Sequence, residues 1–361
     1  MNSLTKYYLG FSYYQGIGPM KFNALLQMFG SVSKAYTASY TDISQAIGSK
    51  SASGFIEFRS TFGPEAEIAR LQKQGITIID RDNLLFPTNL KEISDSPICL
   101  YVKGDISKYS WENDFLFAVV GTRNPTEYGR MITTKFSREL AENGAVIVSG
   151  LAMGIDALAH WSAIHAGKRT IAFLGCGVNI VYPSVNSYLY KEILRTGGLI
   201  ISEFPPDMRT LKGHFVSRNR LISGISQGVL VAEGLIDSGS LITARYALLQ
   251  GKDVFAPPSP INSALSKAPN LLLKEGAKLV TEVDDILEEF HMTSKSSVVV
   301  PLRLNDQEKR VYEVLSEESF STDDLVRALN LPVTQVLQLL SGMELSGIIE
   351  KNESGKYQIV I

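Results

Sequence analysis

From residue 115 onward the chain alternates between short apolar runs and amphipathic stretches, and this alternation constrains the fold more than any other feature. FLFAVVG (115–121), AVIVSG (145–150), RTIAFLG (169–175), GLIISE (198–203), QGVLVAE (227–233) and KDVFAP (252–257) are the runs. They are short and apolar at nearly every position, as strands buried on both faces of a parallel sheet must be. Amphipathic stretches near 129–143, 155–166, 184–196 and 239–250 lie between them. The pattern predicts an α/β fold: a Rossmann-like, doubly wound, mostly parallel sheet in a domain spanning 71–290.

GITIID (75–80) and PICLYVKG (97–104) are two further strand candidates ahead of this array. Residues 1–70 read as a small helical domain. Phe22, Leu25, Leu26 and Phe29 recur at helical spacing, and Gly16-Ile17-Gly18-Pro19 marks a turn. A polar linker is expected over 291–304. Beyond it, 306–319, 321–330 and 333–345 read as three helices, the second opening on a Ser321-x-x-Asp324 cap. Strand candidates 347–351 and 356–361 flank the turn Asn352-Glu353-Ser354-Gly355, so 305–361 has the pattern of a winged helix.

Composition excludes some function classes. The 361 residues carry a formal net charge of −2, so no global basic excess points to nucleic acid, and such a signal has to be local. The two cysteines, Cys99 and Cys176, lie far apart without CxxC or His/Cys spacing, which argues against a disulfide framework and against a metal site. No apolar run approaches the ~18 residues of a membrane span. A reduced, cytoplasmic protein without a membrane segment is expected.

The first turn of the α/β array, Gly121-Thr122-Arg123-Asn124-Pro125-Thr126, leads from a strand into a helix N-terminus, where such folds bind anions. Arg123 adds a forked donor suited to phosphate. Any α/β protein needs a glycine-containing turn here, so the turn is equally compatible with a purely structural role. The second turn, Ser149-Gly150-Leu151-Ala152-Met153-Gly154, supplies small residues and amides beside the first. The third, Gly175-Cys176-Gly177-Val178-Asn179-Ile180, falls short of a dinucleotide fingerprint because Ile180 stands at its last glycine, and no P-loop is present. No cofactor is expected.

Met208 to Ala232 is the most informative stretch. It contains Arg209, Lys212, Arg218 and Arg220 and no acidic residue. Within it, Lys212-Gly213-His214-Phe215 precedes Arg218-Asn219-Arg220. Cations interleaved with an aromatic suit a single nucleic-acid strand, since charges follow the phosphates and a ring accepts a base at ~1–3 kcal/mol per stack. The competing interpretation is a solvated helix face beside a core phenylalanine. Ser238-Gly239-Ser240 opens the next helix, where free amides could hold another phosphate or Ser238 or Ser240 could simply cap.

No catalytic set emerges. His160, His165, His214 and His291 have no nucleophile or metal partner at motif spacing. Glu203 and Glu233 end two strands and could form an acid/base pair, although residues so placed more often pair with arginines.

GTRNPTEYG (121–129), SGLAMGIDALAH (149–160), Tyr182-Pro183…Asn186, HFVSRNRLISG (214–224) and VAEG…SGSLITA (231–244) together resemble the DprA family of DNA-processing proteins, also called Smf, over about 115–280. The flanks resemble that family's sterile-alpha-motif-like or helix-hairpin-helix region and its winged helix. The resemblance implies binding and protection of single-stranded DNA, homodimerisation through the Rossmann-like domain, and loading of the RecA recombinase during natural transformation, with no chemical step. Arg123 matches the arginine of the family's first loop, Lys212 a phosphate-binding lysine, Phe215 a base-stacking phenylalanine, and Arg218 to Arg220 its RNR block.

The expected DNA-binding set is therefore Gly121, Thr122, Arg123, Ser149, Gly150, Lys212, Phe215, Arg218, Asn219, Arg220 and Ser240. Two departures stand out. Pro257-Pro258 and Ala268-Pro269-Asn270 replace glycine-containing family patterns, which predicts a differently shaped 257–270 loop, and Ser184 stands where some relatives carry lysine.

Residues 305–361 hold ten acidic and five basic side chains, with no Lys or Arg at 333–346, so this winged helix is expected to contact protein rather than DNA. The turn at 16–19 could meet a DNA backbone, or it could be structural only. A rival function is a nucleotide-processing hydrolase of the lysine-decarboxylase-like Rossmann group. Its Pro-Gly-Gly-x-Gly-Thr-x-x-Glu stretch has no counterpart in Ser238–Thr243.

Overall fold

The structure, a computed structural model, describes residues 4–293, 305–315, 319–345, 348–352 and 355–359, with the side chains of 212 and 345 excepted. Chain contacts group Met1–Ser294 into one compact unit and Lys295–Ile361 into a second. The linker expected at 291–304 falls largely outside the described residues.

Six helices open the first unit: α1 (Thr5–Tyr13), α2 (Pro19–Phe29), α3 (Val32–Thr37), α4 (Tyr40–Ile47), α5 (Ser49–Thr61) and α6 (Pro64–Lys73). Pro19 occupies the first turn of α2, where its missing N–H costs nothing, and Gly30 closes the helix in a left-handed conformation. Phe11, Phe22 and Phe55 form the aromatic centre, with Phe11 and Phe55 stacked at 4.7 Å. This apolar cluster runs without interruption into Tyr101, Leu174, Val178 and Ile193 of the sheet region, so the helices share a core with one sheet face.

The sheet follows as β1 (Thr77–Asp80), α7 (Thr88–Glu92), β2 (Cys99–Lys103), β3 (Phe115–Val120), α8 (Glu127–Glu142), β4 (Ala145–Ser149), α9 (Ile155–His165), β5 (Thr170–Phe173), α10 (Ser187–Arg195), β6 (Leu199–Ser202), α11 (Lys212–Ile225), β7 (Gly228–Val231), α12 (Gly239–Leu249), β8 (Asp253–Ala256), α13 (Lys267–Lys274), β9 (Lys278–Leu279) and α14 (Asp284–Glu289). The strand order is β1-β2-β6-β5-β4-β3-β7-β8-β9. Pairing is parallel from β6 to β9 and antiparallel at β1 and β2. Each apolar run read from the sequence is a strand, buried on both faces in the centre of the sheet.

The order reverses at β3: β4, β5 and β6 lie to one side, β7, β8 and β9 to the other. The loops leaving the carboxyl ends of β3, β4, β5 and β7 therefore surround the crevice where doubly wound folds bind ligands. Within the 257–270 loop, Asn270 Nδ2 donates to the Ser259 carbonyl at 3.1 Å, and the Gly234 amide donates to Leu265 at 2.7 Å, tying the loop to the end of β7.

The second unit contains α15 (Asp306–Leu315), α16 (Thr322–Leu329), α17 (Val333–Leu345) and an antiparallel hairpin of β10 (Ile349–Lys351) and β11 (Tyr357–Ile359). Ser321 caps α16 as its sequence predicts. Val311, Leu325, Val336, Leu340 and Tyr357 close a separate core, so this is a winged helix with its own interior. Among the described residues no helix is long and apolar enough to cross a membrane.

Candidate nucleic-acid interface

Phe215 lies on the first turns of α11, half-buried over the end of β5, where a Cβ placed on Gly175 would come within 3.0 Å of the ring. The exposed Arg123, leaving β3, holds its guanidinium carbon 5.6 Å from the ring centre. Tyr182, from the loop after β5, stands 5.5 Å from the same ring and is 43% exposed, enough to offer a face to solvent. Arg123 makes no ion pair or side-chain hydrogen bond with another described residue. The arrangement is a cation and two aromatic rings at the sheet's carboxyl edge, able to meet a phosphate and a flat ring together.

Lys212 opens α11, but its side chain lies outside the described residues. The exposed Arg209 precedes it. Sequence reasoning left Tyr182 without a role, because it is 30 or more positions from any cation or ring of the set in the chain and only the fold brings it to Phe215.

Several expected contacts need correction. The Thr122 amide donates to the Glu233 carbonyl at 2.8 Å, and the Gly150 amide donates to Asp156 Oδ2 at 3.1 Å. The Ser149 hydroxyl is buried and donates to the Val119 carbonyl at 2.7 Å. These donors hold loop to loop and are not free for phosphate. Gly121 is packed instead, since a Cβ there would meet Ile155 at 2.5 Å.

Arg218 and Arg220 are corrected in the same way: they are 4% and 3% exposed. Arg218 Nη1 donates to the Gly150 carbonyl at 2.6 Å and to that of Phe173, pinning the ends of β4 and β5 together beside Asp156. Gly150 is required there, because a Cβ would sit 2.1 Å from that nitrogen. Burial raises the Asp156 pKa above its ordinary value, and Arg218 acts against that shift. Arg220 pairs with Glu203 at 2.6 Å and Asp95 at 2.8 Å. Asn219 donates to the Gly239 carbonyl at 3.0 Å, and Ser240 is buried with its hydroxyl 2.7 Å from that of Ser238. These four residues shape the site from beneath.

Glu203 and Glu233 do not face each other as an acid/base pair. Glu203 binds Arg220, and Glu233 accepts from the Thr126 amide at 2.9 Å and its hydroxyl at 2.5 Å. That second contact ties the first loop to β7 and holds Arg123 where it stands. Asn186 does the same for the second loop, donating to the carbonyl of Leu151 at 2.9 Å, where φ is 57°. His160 is buried against Thr170, and burial with the Arg218 charge pushes its pKa down to about 3. Among the described residues no group of three or more His, Cys, Asp or Glu could hold a metal.

Comparison with known proteins matches this frame to one family. Residues 76–291 match the family of DNA recombination-mediator protein A, and 300–355 match the DprA winged helix domain. Protein Smf of Escherichia coli is 36% identical over 300 residues, 79% of this chain and 78% of that protein. The DNA processing protein DprA of Bacillus subtilis is 40% identical over 62% of this chain and 74% of its own. The crystal structure of Streptococcus pneumoniae DprA superposes with a TM-score of 0.67 at 36% identity, covering 78% of this chain and 96% of that one. Helicobacter pylori DprA, whose structure describes a single-stranded DNA binding mode, superposes with a TM-score of 0.54 at 32% identity over 60% of this chain and 95% of that one. With the sheet order, the loops around the switch point and the terminal winged helix all accounted for by these matches, the chain belongs to the DprA/Smf family.

Proposed function

We propose that this protein captures single-stranded DNA without regard to sequence at the carboxyl edge of its sheet, in the cytoplasm, and presents that strand to the RecA recombinase during DNA uptake. The observation that carries the reading is the exposed Arg123 guanidinium 5.6 Å over the half-buried Phe215 ring. Arg123 and Lys212 neutralise phosphates and Phe215 stacks a base, with Tyr182 beside it. Gly121, Thr122, Ser149, Gly150, Arg218, Asn219, Arg220 and Ser240 hold these contact residues in place. Family membership supports the reading, as does the single-stranded DNA binding described for the H. pylori relative.

The protein acts as a binder and not as a hydrolase, because Glu203 and Glu233 are both engaged in holding the scaffold. It works as a homodimer through the Rossmann-like domain. The exposed Leu248 and Leu249 at the end of α12 support an apolar contact there. The winged helix contacts protein.

The deciding experiment is competition between single- and double-stranded DNA for the full chain over a salt series. Preference for the single strand, with affinity falling as salt rises, supports the reading; equal affinity for both forms rejects it. Stimulated RecA assembly on the bound strand tests the second step.

A further inference from the structure

Past Tyr182 the chain makes one short tight turn of helix, Ser184–Asn186, and then enters α10. Side chains three positions apart lie on the same side of such a turn. Tyr182, Val185 and Tyr188 recur at that spacing, and all three are exposed, at 43%, 69% and 65%. The buried Asn186 fixes this ridge from beneath by donating to the Leu151 and Ala152 carbonyls at 2.9 and 3.1 Å. At the far end the Tyr188 ring lies 5.7 Å from Trp161 of α9, which stacks on His165 at 5.4 Å. Rings therefore stand at both ends of the ridge, Tyr182 beside Phe215 and Tyr188 beside Trp161.

The charge around it has one sign. Residues 157–191 contain no Asp or Glu. Arg169 is paired from outside this stretch, with Asp114 at 3.8 Å, but Lys168 and Lys191 are exposed and form no ion pair among the described residues. Lys191 follows Tyr188 by three positions and so neighbours it on α10. The adjacent Glu192 is held by Arg195 at 2.7 Å. An exposed ring with an unpaired cation next to it repeats the pairing of Phe215 with Arg123.

We propose that Tyr188 and Lys191 form a second station for the same single strand, a base stacking on Tyr188 and a phosphate meeting Lys191, with the ridge leading the strand there from Phe215. The proposal rests on the single-strand capture proposed above and shares its indifference to sequence, because every base has a face to stack. The ridge is continuous with the Phe215 site through Tyr182, which selects the strand over a protein partner as its occupant. The step from Tyr182 to Tyr188 spans at most about 20 Å of chain. A stacked strand rising roughly 3.4 Å per nucleotide covers that in about six nucleotides.

The test uses the full chain and labelled oligo-dT of about 5 and about 15 nucleotides, one shorter and one longer than the two stations together. Tyr188→Ala is expected to bind the short strand like wild type and the long strand roughly 5- to 100-fold more weakly, the range one stacked base supplies. Tyr188→Phe keeps the ring and restores the affinity. Intrinsic fluorescence locates the contact. Of the two tryptophans, Trp111 is 7% exposed with its N–H on the Leu85 carbonyl at 2.8 Å, so a change in emission reports Trp161. The long strand should change that emission and the short strand should not. Wild-type affinity of Tyr188→Ala for the long strand overturns the proposal, and a dimer lost in that variant would then assign the ridge to a second copy of the chain. An affinity loss without any emission change in wild type also overturns it, because the substitution would then act through structure. Phe215→Ala separates the two readings. If it weakens both strands while Tyr188→Ala weakens neither, capture at Phe215 stands and the second station falls; if only Tyr188→Ala weakens binding, the second station stands and the Phe215 site falls. If neither strand binds wild type, both fall.

Discussion

The guanidinium of Arg123, on the loop after β3, and the ring of Phe215, on α11 and 92 positions away in sequence, meet at 5.6 Å on the sheet's carboxyl edge. Their proximity joins a charge contact and a stacking contact in one place. Phe215→Ala is expected to weaken single-stranded DNA binding by about 1–3 kcal/mol, equally for sequences of any composition. Arg123→Ala is expected to weaken binding and to lower the salt slope by about one. Fluorescence anisotropy over 50–300 mM salt, roughly the range in which counterion release is visible, measures both. Wild-type slopes in both variants would place the strand elsewhere.

Arg220 is expected to behave differently. Removing it leaves Glu203 and Asp95 facing each other with no cation between them, so Arg220→Ala should cost on the order of 3–5 kcal/mol of stability. Urea unfolding measures the loss. The variant protein that remains folded should keep the wild-type salt slope; a reduced slope would make Arg220 a phosphate contact after all.

This contrast shows what the sequence could and could not reveal. The parallel strands were legible because burial on both faces leaves continuous apolar runs, and Arg123 and Phe215 stood out by type and position. The roles of Arg218 and Arg220 were not legible. The stretch from Met208 to Ala232 contains no acid, but the partners of these arginines come from Asp95, Asp156 and Glu203 and from two carbonyls at strand ends. An acid-free run therefore marks local charge without showing whether the fold neutralises it from a distance. The loop amides failed for a related reason: a turn's sequence does not say which of its N–H groups another loop already occupies.

Gly150→Ala tests the arginine beneath the loops. The new methyl would collide with the Arg218 guanidinium, whose nearest atom lies 2.1 Å away. A loss of roughly 1–3 kcal/mol is expected from the forced shift, along with weaker DNA binding as the ends of β4 and β5 separate. Thermal melting and anisotropy of the same preparation report the two effects; undiminished melting would show that Arg218 moves aside freely.

His160 gives a pH signature. Its folded pKa, about 3, lies below the ordinary 6.5 because burial and the Arg218 charge both oppose protonation. Below pH 6.5 the unfolded chain takes up a proton that the folded one refuses, so stability falls with falling pH. The contribution is complete above pH 6.5 and decreases by about 1.4 kcal/mol per pH unit down to about pH 3. Urea unfolding of wild type and His160→Gln between pH 4 and 7 isolates this group. The difference between the two proteins should shrink steadily as pH falls, and a constant difference would mean that His160 does not titrate as its burial requires.

The winged helix supplies the last prediction. It has its own core, centred on Val311, Leu325, Val336 and Leu340, and α17 carries no Lys or Arg across Val333–Leu345. A recognition helix without cations cannot neutralise the phosphates that flank a major groove. Ending the chain after Ser294 should therefore leave single-stranded DNA affinity within about twofold of the full chain, less than the loss of one phosphate contact would produce. If the domain serves a protein contact, the same truncation should reduce RecA assembly on the bound strand while DNA affinity is unchanged. A large fall in DNA affinity would instead show that Lys309, Arg310, Lys351 or Lys356 reaches phosphate despite the acidic balance of the domain.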